Sequence, residues 1–383
     1  MSSKKLTYDV CIIGAGVAGC ATAIALKNKA PHLSVAIIER TCDIRYKNIS
    51  SQRIGETIPP QTSQQLQQLG IWDSFMKCNF KQSFGTSASW GSCQLYHNEY
   101  MYSPYGYGWH LDRLAFDEFM INETQKRGVS IHFENSITSS ENEDKFWYLK
   151  TISNQEQTLI KSRFIIDATG KKAAFSSLQK SIKIKEDQMV GIYCFYDIPD
   201  HTKDSLGLGT GTCVETDVNG WWYSSILPNK KLVISYMTDA DIAKNIQIRK
   251  TYNFTKFLSD TTYTSSRTIN LKSSIEPKII AAHTQYLNTV IGNGWLAVGD
   301  AASSYDPISS LGIFKSLIMS QFAAYATFDF LKGDDTGLKK YQHIIMQDYK
   351  GYLKKRQEYY AQEKRYINSL FWERRHQLST ITN

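Results

Sequence analysis

Asp9-Val10-Cys11-Ile12-Ile13-Gly14-Ala15-Gly16-Val17-Ala18-Gly19 is the stretch whose reading decides the fold. An apolar run short enough for a buried strand passes directly into G-x-G-x-x-G, and a helical pattern follows. Each glycine has its own task. Gly14 permits the tight turn, Gly16 lets backbone approach a pyrophosphate, and Gly19 lets the helix pack closely on the sheet. The helix is expected over 17–27, with Ala18 in its first turn. Free N–H groups and the helix dipole favour phosphate there. The next apolar run, Val35-Ala36-Ile37-Ile38, closes on Glu39-Arg40. Glu39 has the spacing of a carboxylate that binds a ribose hydroxyl pair. Strand, turn, helix, strand and acid agree on a dinucleotide site.

At 383 residues the chain can bury a large core in one or two intimately packed domains. The N-terminal apolar run is too short for a secretory signal and belongs to the fold. The most apolar late stretch, 312–331, is broken by Lys315, Gln321 and Asp329 and reads as a core helix, not a membrane span. Seven scattered cysteines without C-x-x-C point to a reducing, cytoplasmic setting with buried thiols. The histidines show no metal-ligand spacing, so no metal is expected. The formal charge of +8 gathers near the C-terminus in Lys354-Lys355-Arg356, Lys364-Arg365 and Arg374-Arg375. A solvated helix face is the expectation there, with a docking surface for an acidic partner as the sharper alternative. No motif supports nucleic-acid binding.

Beyond the first unit, residues 60–78 read as a helix broken near Leu69-Gly70. Gly108-Trp109-His110-Leu111-Asp112-Arg113 ends a strand and opens a helix through Lys126. Strands are expected at 129–133, 146–152 and 162–168, the last ending at Asp167-Ala168-Thr169-Gly170. Between 186 and 284 the texture changes to short strands with Gly, Pro and Asn turns. Trp295-Leu296-Ala297-Val298 returns to a buried strand ending in Gly299-Asp300-Ala301-Ala302. From 336 the pattern is helical. A nucleotide-binding domain is therefore expected from separated segments (1–75, 108–185 and 285–335). Residues 76–107 and 186–284 form a substrate domain, and 336–383 form C-terminal helices.

Three motifs in this order resemble the FAD-dependent aromatic hydroxylase family: Gly14/Gly16/Gly19 with Glu39-Arg40; Asp167-Ala168-Thr169-Gly170; and Gly299-Asp300-Ala301-Ala302 followed by Asp306-Pro307-Ile308-Ser309-Ser310-Leu311-Gly312-Ile313. The resemblance implies an α/β fold: a Rossmann-like FAD-binding domain of the p-hydroxybenzoate hydroxylase type, an inserted, mostly antiparallel β domain and a helical C-terminal region. It implies FAD as cofactor, with Gly299-Asp300 on the ribityl chain and Pro307 beside the reactive edge of the ring. Gly312 and Ile313 would start a helix whose positive end faces the ring, where reduced flavin is anionic. Arg113 resembles the family residue brought over the flavin, and Arg53, ahead of Gly55-Glu56-Thr57-Ile58-Pro59-Pro60, is a further flavin-side candidate.

Within that fold the chain resembles the halogenase-like branch through Gly55-Glu56-Thr57-Ile58-Pro59, the Ser310-Leu311-Gly312-Ile313 pattern and the aromatic tail through Phe371-Trp372. It departs from tryptophan halogenases at decisive positions. Gly85 stands where they carry a lysine, and Ser309 stands where they carry a glutamate. Their W-x-W-x-I-P is loosened to Trp221-Trp222-Tyr223-Ser224-Ser225-Ile226-Leu227-Pro228, and Lys81 would serve only in a shifted register. These departures fit the flavoproteins that accompany quinone-cofactor amino-acid oxidases, such as glycine or lysine oxidases with cysteine tryptophylquinone. That resemblance implies a monooxygenase acting on a tryptophan of an oxidase precursor, with molecular oxygen, through a flavin C4a-hydroperoxide. Pro307 and Ser310 would shape the oxygen site, and Trp221, Trp222 and Tyr223 are candidates for the indole side. His110 reads as a packed strand-end residue. A single nucleotide fingerprint leaves NAD(P)H or a separate flavin reductase as the electron source. A small-molecule hydroxylase or halogenase, a lipid reductase without a membrane-binding stretch, and a non-catalytic flavoprotein chaperone are the alternatives.

Overall fold

A computed structural model describes residues 4–45, 54, 57–199 and 211–377. Strand β1 (Lys4–Ile13) leads through the glycine turn into helix α1 (Val17–Lys29) and back into β2 (Val35–Ile38). β1 lies between β2 and the strand Glu156–Asp167, parallel to both. Ser130–His132 extends the sheet beyond β2, and Trp295–Ala297 extends it beyond Glu156–Asp167, again in parallel. β2 and Trp295–Ala297 are buried throughout, as parallel strands covered on both faces must be. α1, Arg113–Gln125 and Gly312–Leu331 supply buried apolar residues to the core they share with these strands. An antiparallel pair, Ser136–Glu143 and Phe146–Ser153, attaches to the first half of Glu156–Asp167, residues 156–162.

The second sheet is mostly antiparallel. It runs Lys272–Ser273, Met189–Asp197, Lys231–Asp239, Gly220–Ile226, Thr212–Asp217, Gly85–Ser89, Tyr96–Glu99. Its one parallel contact joins Thr212–Asp217 to Gly85–Ser89. The fold is thus α/β with a β-rich second layer and C-terminal helices at Thr336–Tyr360 and Leu370–Gln377.

Several local expectations hold for physical reasons. Gly70, at φ +66°, separates Thr62–Gln68 from Trp72–Met76. Asp112 caps Arg113–Gln125, its carboxylate accepting from the Leu114 and Ala115 N–H groups. Others are extended. The strands expected between 186 and 284 are present, and among the described residues that stretch also contains the α-helices Ala240–Asn245, Thr251–Ser259 and Tyr263–Ser266. The last is held by the buried Glu215 carboxylate, which accepts from the N–H groups of Thr262, Tyr263 and Thr264. That acceptor lies 49 residues from Thr264 and leaves no local trace.

The C-terminal charges are also used differently from either expectation. Arg356 bridges Asp187 and Asp306, Arg375 pairs with Asp239, and Arg374 joins Asp239 to Asp241. These arginines bind the last helices to the sheet, leaving Lys354, Lys355 and Lys364 as the solvent-facing lysines of that cluster. All seven cysteines are free thiols; Cys11, Cys20, Cys194 and Cys213 are buried, whereas Cys93 is exposed. Among the described residues no cluster could hold a metal ion, and no helix is long and apolar enough to cross a membrane.

Candidate cofactor and substrate site

The three glycines of the first turn do different work. Gly14 has φ +106°, and a Cβ there would lie 2.5 Å from the Ala168 carbonyl oxygen. A Cβ on Gly19 would lie 1.9 Å from the Gly14 carbonyl. Both glycines are required by close backbone approach. Gly16 is the opposite case: a Cβ there would meet nothing within 4 Å. The space beside it opens into a cavity of about 410 Å³ lined by Gly14, Gly16, Glu39 and Arg40. Glu39 is already organised. One carboxylate oxygen accepts from the Ala15 N–H at 2.8 Å, and the other accepts from the Thr41 N–H and hydroxyl. Arg40 is exposed at the rim.

A second cavity, of about 390 Å³, shares Gly16, Ala168 and Gly170 with the first. The two spaces meet at the glycine loop, as a long two-armed ligand requires. The second is lined by Ala18, Arg113, Asp300, Pro307, Ser310, Gly312 and Ile313. Gly299, at φ +63°, brings the third motif against the first helix; a Cβ there would lie 2.6 Å from that of Ala18. Gly312 has open space around it, and the helix it starts has no side-chain cap. Its first N–H groups are therefore available at the cavity wall, an electropositive end suited to an anion.

The loop before that helix is held from behind. Asp306 is fully buried. It accepts from the Ile308 N–H at 3.0 Å, from Arg356 Nε at 3.1 Å and from the Tyr360 hydroxyl at 2.8 Å. Ser310 takes a left-handed conformation, φ +50°, which turns the chain from Pro307–Ser309 into the long helix. Arg113 is tethered to the Ile54 carbonyl at 3.2 Å and to Asp117 at 3.1 Å. Arg53, Gly55 and Glu56 lie outside the described residues.

On the sheet side, Trp221 and Tyr223 line the cavity, as their shared face of one strand dictates. Trp221 Nε1 donates to the Tyr360 hydroxyl at 3.1 Å, and the Tyr223 hydroxyl lies 2.9 Å from Thr57 Oγ1. Trp222 points the other way, donating to Asp217 and packing on Tyr236 and Phe254. It belongs to the far face of the sheet, a correction to its candidacy for the indole side. His110 is buried behind Thr57, its Nδ1 3.0 Å from the Ser225 hydroxyl.

Lys81 lies on a short strand paired with Gly108–His110, not among the residues lining either cavity. At Gly85 a Cβ would lie 2.4 Å from the Asn98 carbonyl, so this backbone has no room for a lysine there. Lys171 lines the second cavity instead, its ammonium donating to the His283 carbonyl at 2.8 Å. Burial pulls its pKa down, against the pull of Asp300. Sequence reasoning passed over Lys171, which sits directly after the Asp167–Gly170 motif. It noted Lys315 only as a break in an apolar run.

The cavities fit FAD in these respects: an acid beside the first turn, open space at Gly16 and Gly312, and an uncapped helix end at the second arm. FAD-binding-domain sequences match residues 7–342. LodB of Marinomonas mediterranea, named as an FAD-dependent oxidoreductase, is 28% identical over 380 residues, covering 98% of each chain. The flavin-dependent halogenase CmlS superposes with a TM-score of 0.83 at 20% identity, over 98% of this chain and 68% of its own. The p-nitrophenol 4-monooxygenase PnpA of Pseudomonas putida DLL-E4 gives 0.71 at 16% identity, over 88% of this chain and 84% of its own. With the match spanning most of its length, this chain belongs to the FAD-binding-domain family and is an FAD-dependent oxidoreductase with the fold of flavin halogenases and monooxygenases.

Proposed function

We propose that this protein is an FAD-dependent monooxygenase that hydroxylates a tryptophan side chain of a partner protein, the precursor of a quinone-cofactor amino-acid oxidase. The substrate reading rests on the resemblance to the companion flavoproteins of such oxidases. The observation that best supports an oxygen-inserting site is the second cavity: a Pro307–Gly312 wall faces Trp221 and Tyr223 across one space.

Bound FAD supplies the chemistry that activates molecular oxygen, with electrons from NAD(P)H or a separate flavin reductase. The chain's own residues bind, orient and exclude water. Gly14, Gly16, Ala18 and Gly19 form the phosphate turn, Glu39 and Arg40 take the ribose end, and Gly299 and Asp300 take the ribityl chain. Arg113, Gly312 and Ile313 border the ring. Pro307 and Ser310 shape the space where oxygen and substrate meet, and the aromatic faces of Trp221 and Tyr223 suit an indole. Arg53 remains a flavin-side candidate on sequence grounds alone.

The decisive experiment is the intact mass of an oxidase precursor expressed with and without this protein. A gain of one or two oxygen atoms on a single tryptophan is expected. No gain, with flavin reduced and oxygen present, would overturn the reading. One observation favours a second reading, halogenation of a small aromatic: Lys171 lines the cavity. A chloride- or bromide-dependent product from a free indole or phenol would identify that activity.

A further inference from the structure

Lys315 has an anomalous position. It occupies the first turn of Gly312–Leu331, with 4% of its side chain exposed. Its nearest polar and ring partners among the described residues come from the 300–305 turn. The ammonium donates to the Ser303 carbonyl, lies 3.4 Å from Asp300 Oδ1 and sits 4.1 Å from the Tyr305 ring centre. Asp300 and Tyr305 line the cofactor cavity, whereas Lys315 stands behind them.

As a stabilising device this arrangement is poor. The contact with Asp300 is long and one-sided, and that carboxylate is 38% exposed. Removing an ammonium from water costs more than such a contact returns, and burial accordingly pulls the Lys315 pKa down. Arg356, by contrast, meets two buried carboxylates within 3.1 Å. A methionine would fill nearly the same channel beside Tyr305 without the desolvation cost.

We propose that Lys315 is a positioning residue for the cofactor. Its buried ammonium holds the Asp300 carboxylate and the 300–305 turn in the orientation that receives FAD, at the expense of the stability of the apoprotein. The inference rests on Asp300 as an FAD ligand and is independent of what the enzyme oxidises.

The test is titration of the apoprotein with FAD, followed by flavin fluorescence, beside thermal melting of the apoprotein alone. The variants are Lys315→Met, Lys315→Gln, Asp300→Asn and the Asp300→Asn/Lys315→Met double variant. Loss of Lys315 is expected to weaken FAD binding about tenfold, within the range of coupled neighbouring residues. The apoprotein should melt at the same temperature or higher. In the Asp300→Asn background the Lys315→Met change should alter affinity by less than about twofold. Unchanged FAD affinity in both Lys315 variants would overturn the proposal. So would an equal loss with and without Asp300, or failure of both Lys315 variants to fold, which would make the lysine structural. Full FAD affinity in Asp300→Asn would remove the premise, an outcome distinguishable from failure of the Lys315 step itself.

Discussion

Asp167 and Asp300 stand at the ends of neighbouring parallel strands, where Asp167 is opposite Ala297 in register. Asp167 is fully buried and spends its carboxylate on the fold: it accepts from the N–H and hydroxyl of Thr169 and from the N–H and hydroxyl of Ser176. Asp300, three residues past its strand, faces a cavity and has one long contact, with Lys315. Two acids near the ends of neighbouring strands therefore have opposite surroundings. One closes the Asp167–Ser176 turn that walls the cavities. The other faces the cavity, and on the proposal above the buried Lys315 ammonium keeps it available to a ligand.

That contrast can be broken experimentally. Asp167→Ala should cost the apoprotein about 3 to 5 kcal/mol in urea denaturation, because four donors, two of them buried, lose their acceptor together. Asp300→Ala should leave that denaturation curve nearly in place while weakening FAD about a hundredfold, so that the protein purifies without bound flavin. Equal destabilisation by the two substitutions would end the distinction. Gly16→Ala sharpens it on the first strand: the open space there predicts normal stability, with FAD affinity reduced by about tenfold from crowding of the phosphates. A stability loss without an affinity change would place Gly16 with Gly14 and Gly19 among the packing glycines.

The sequence exposes much of the first region because its signals are local. A strand, a glycine turn, a helix and an acid lie within about thirty residues, and their periodicity and spacing mark them. The breaks at Gly70 and Asp112 are visible for the same reason. What escapes is set by partners far along the chain. Glu215 holds the Tyr263–Ser266 helix, and Asp239 buries Arg375, whose sequence neighbourhood looks like a solvated face. Trp222 was separable from Trp221 by strand alternation alone, because the two are successive residues of one strand. The role of Lys315 depends on a turn twelve residues upstream and on burial, neither of which a charge in an apolar run discloses.

The same long-range construction has a consequence for biogenesis. In the first sheet, β1 sits between β2 and Glu156–Asp167, and the next strand comes from Trp295–Ala297. The cavity is then bounded by the helix beginning at Gly312. A nascent chain therefore presents the glycine turn early and has no complete cofactor chamber until that helix has left the ribosome. Non-local assembly of this kind is slow relative to local helix formation. Flavin supply in the cell then acts on the last stage of maturation: it captures chains that have closed the sheet and leaves the unfinished ones exposed to proteolysis.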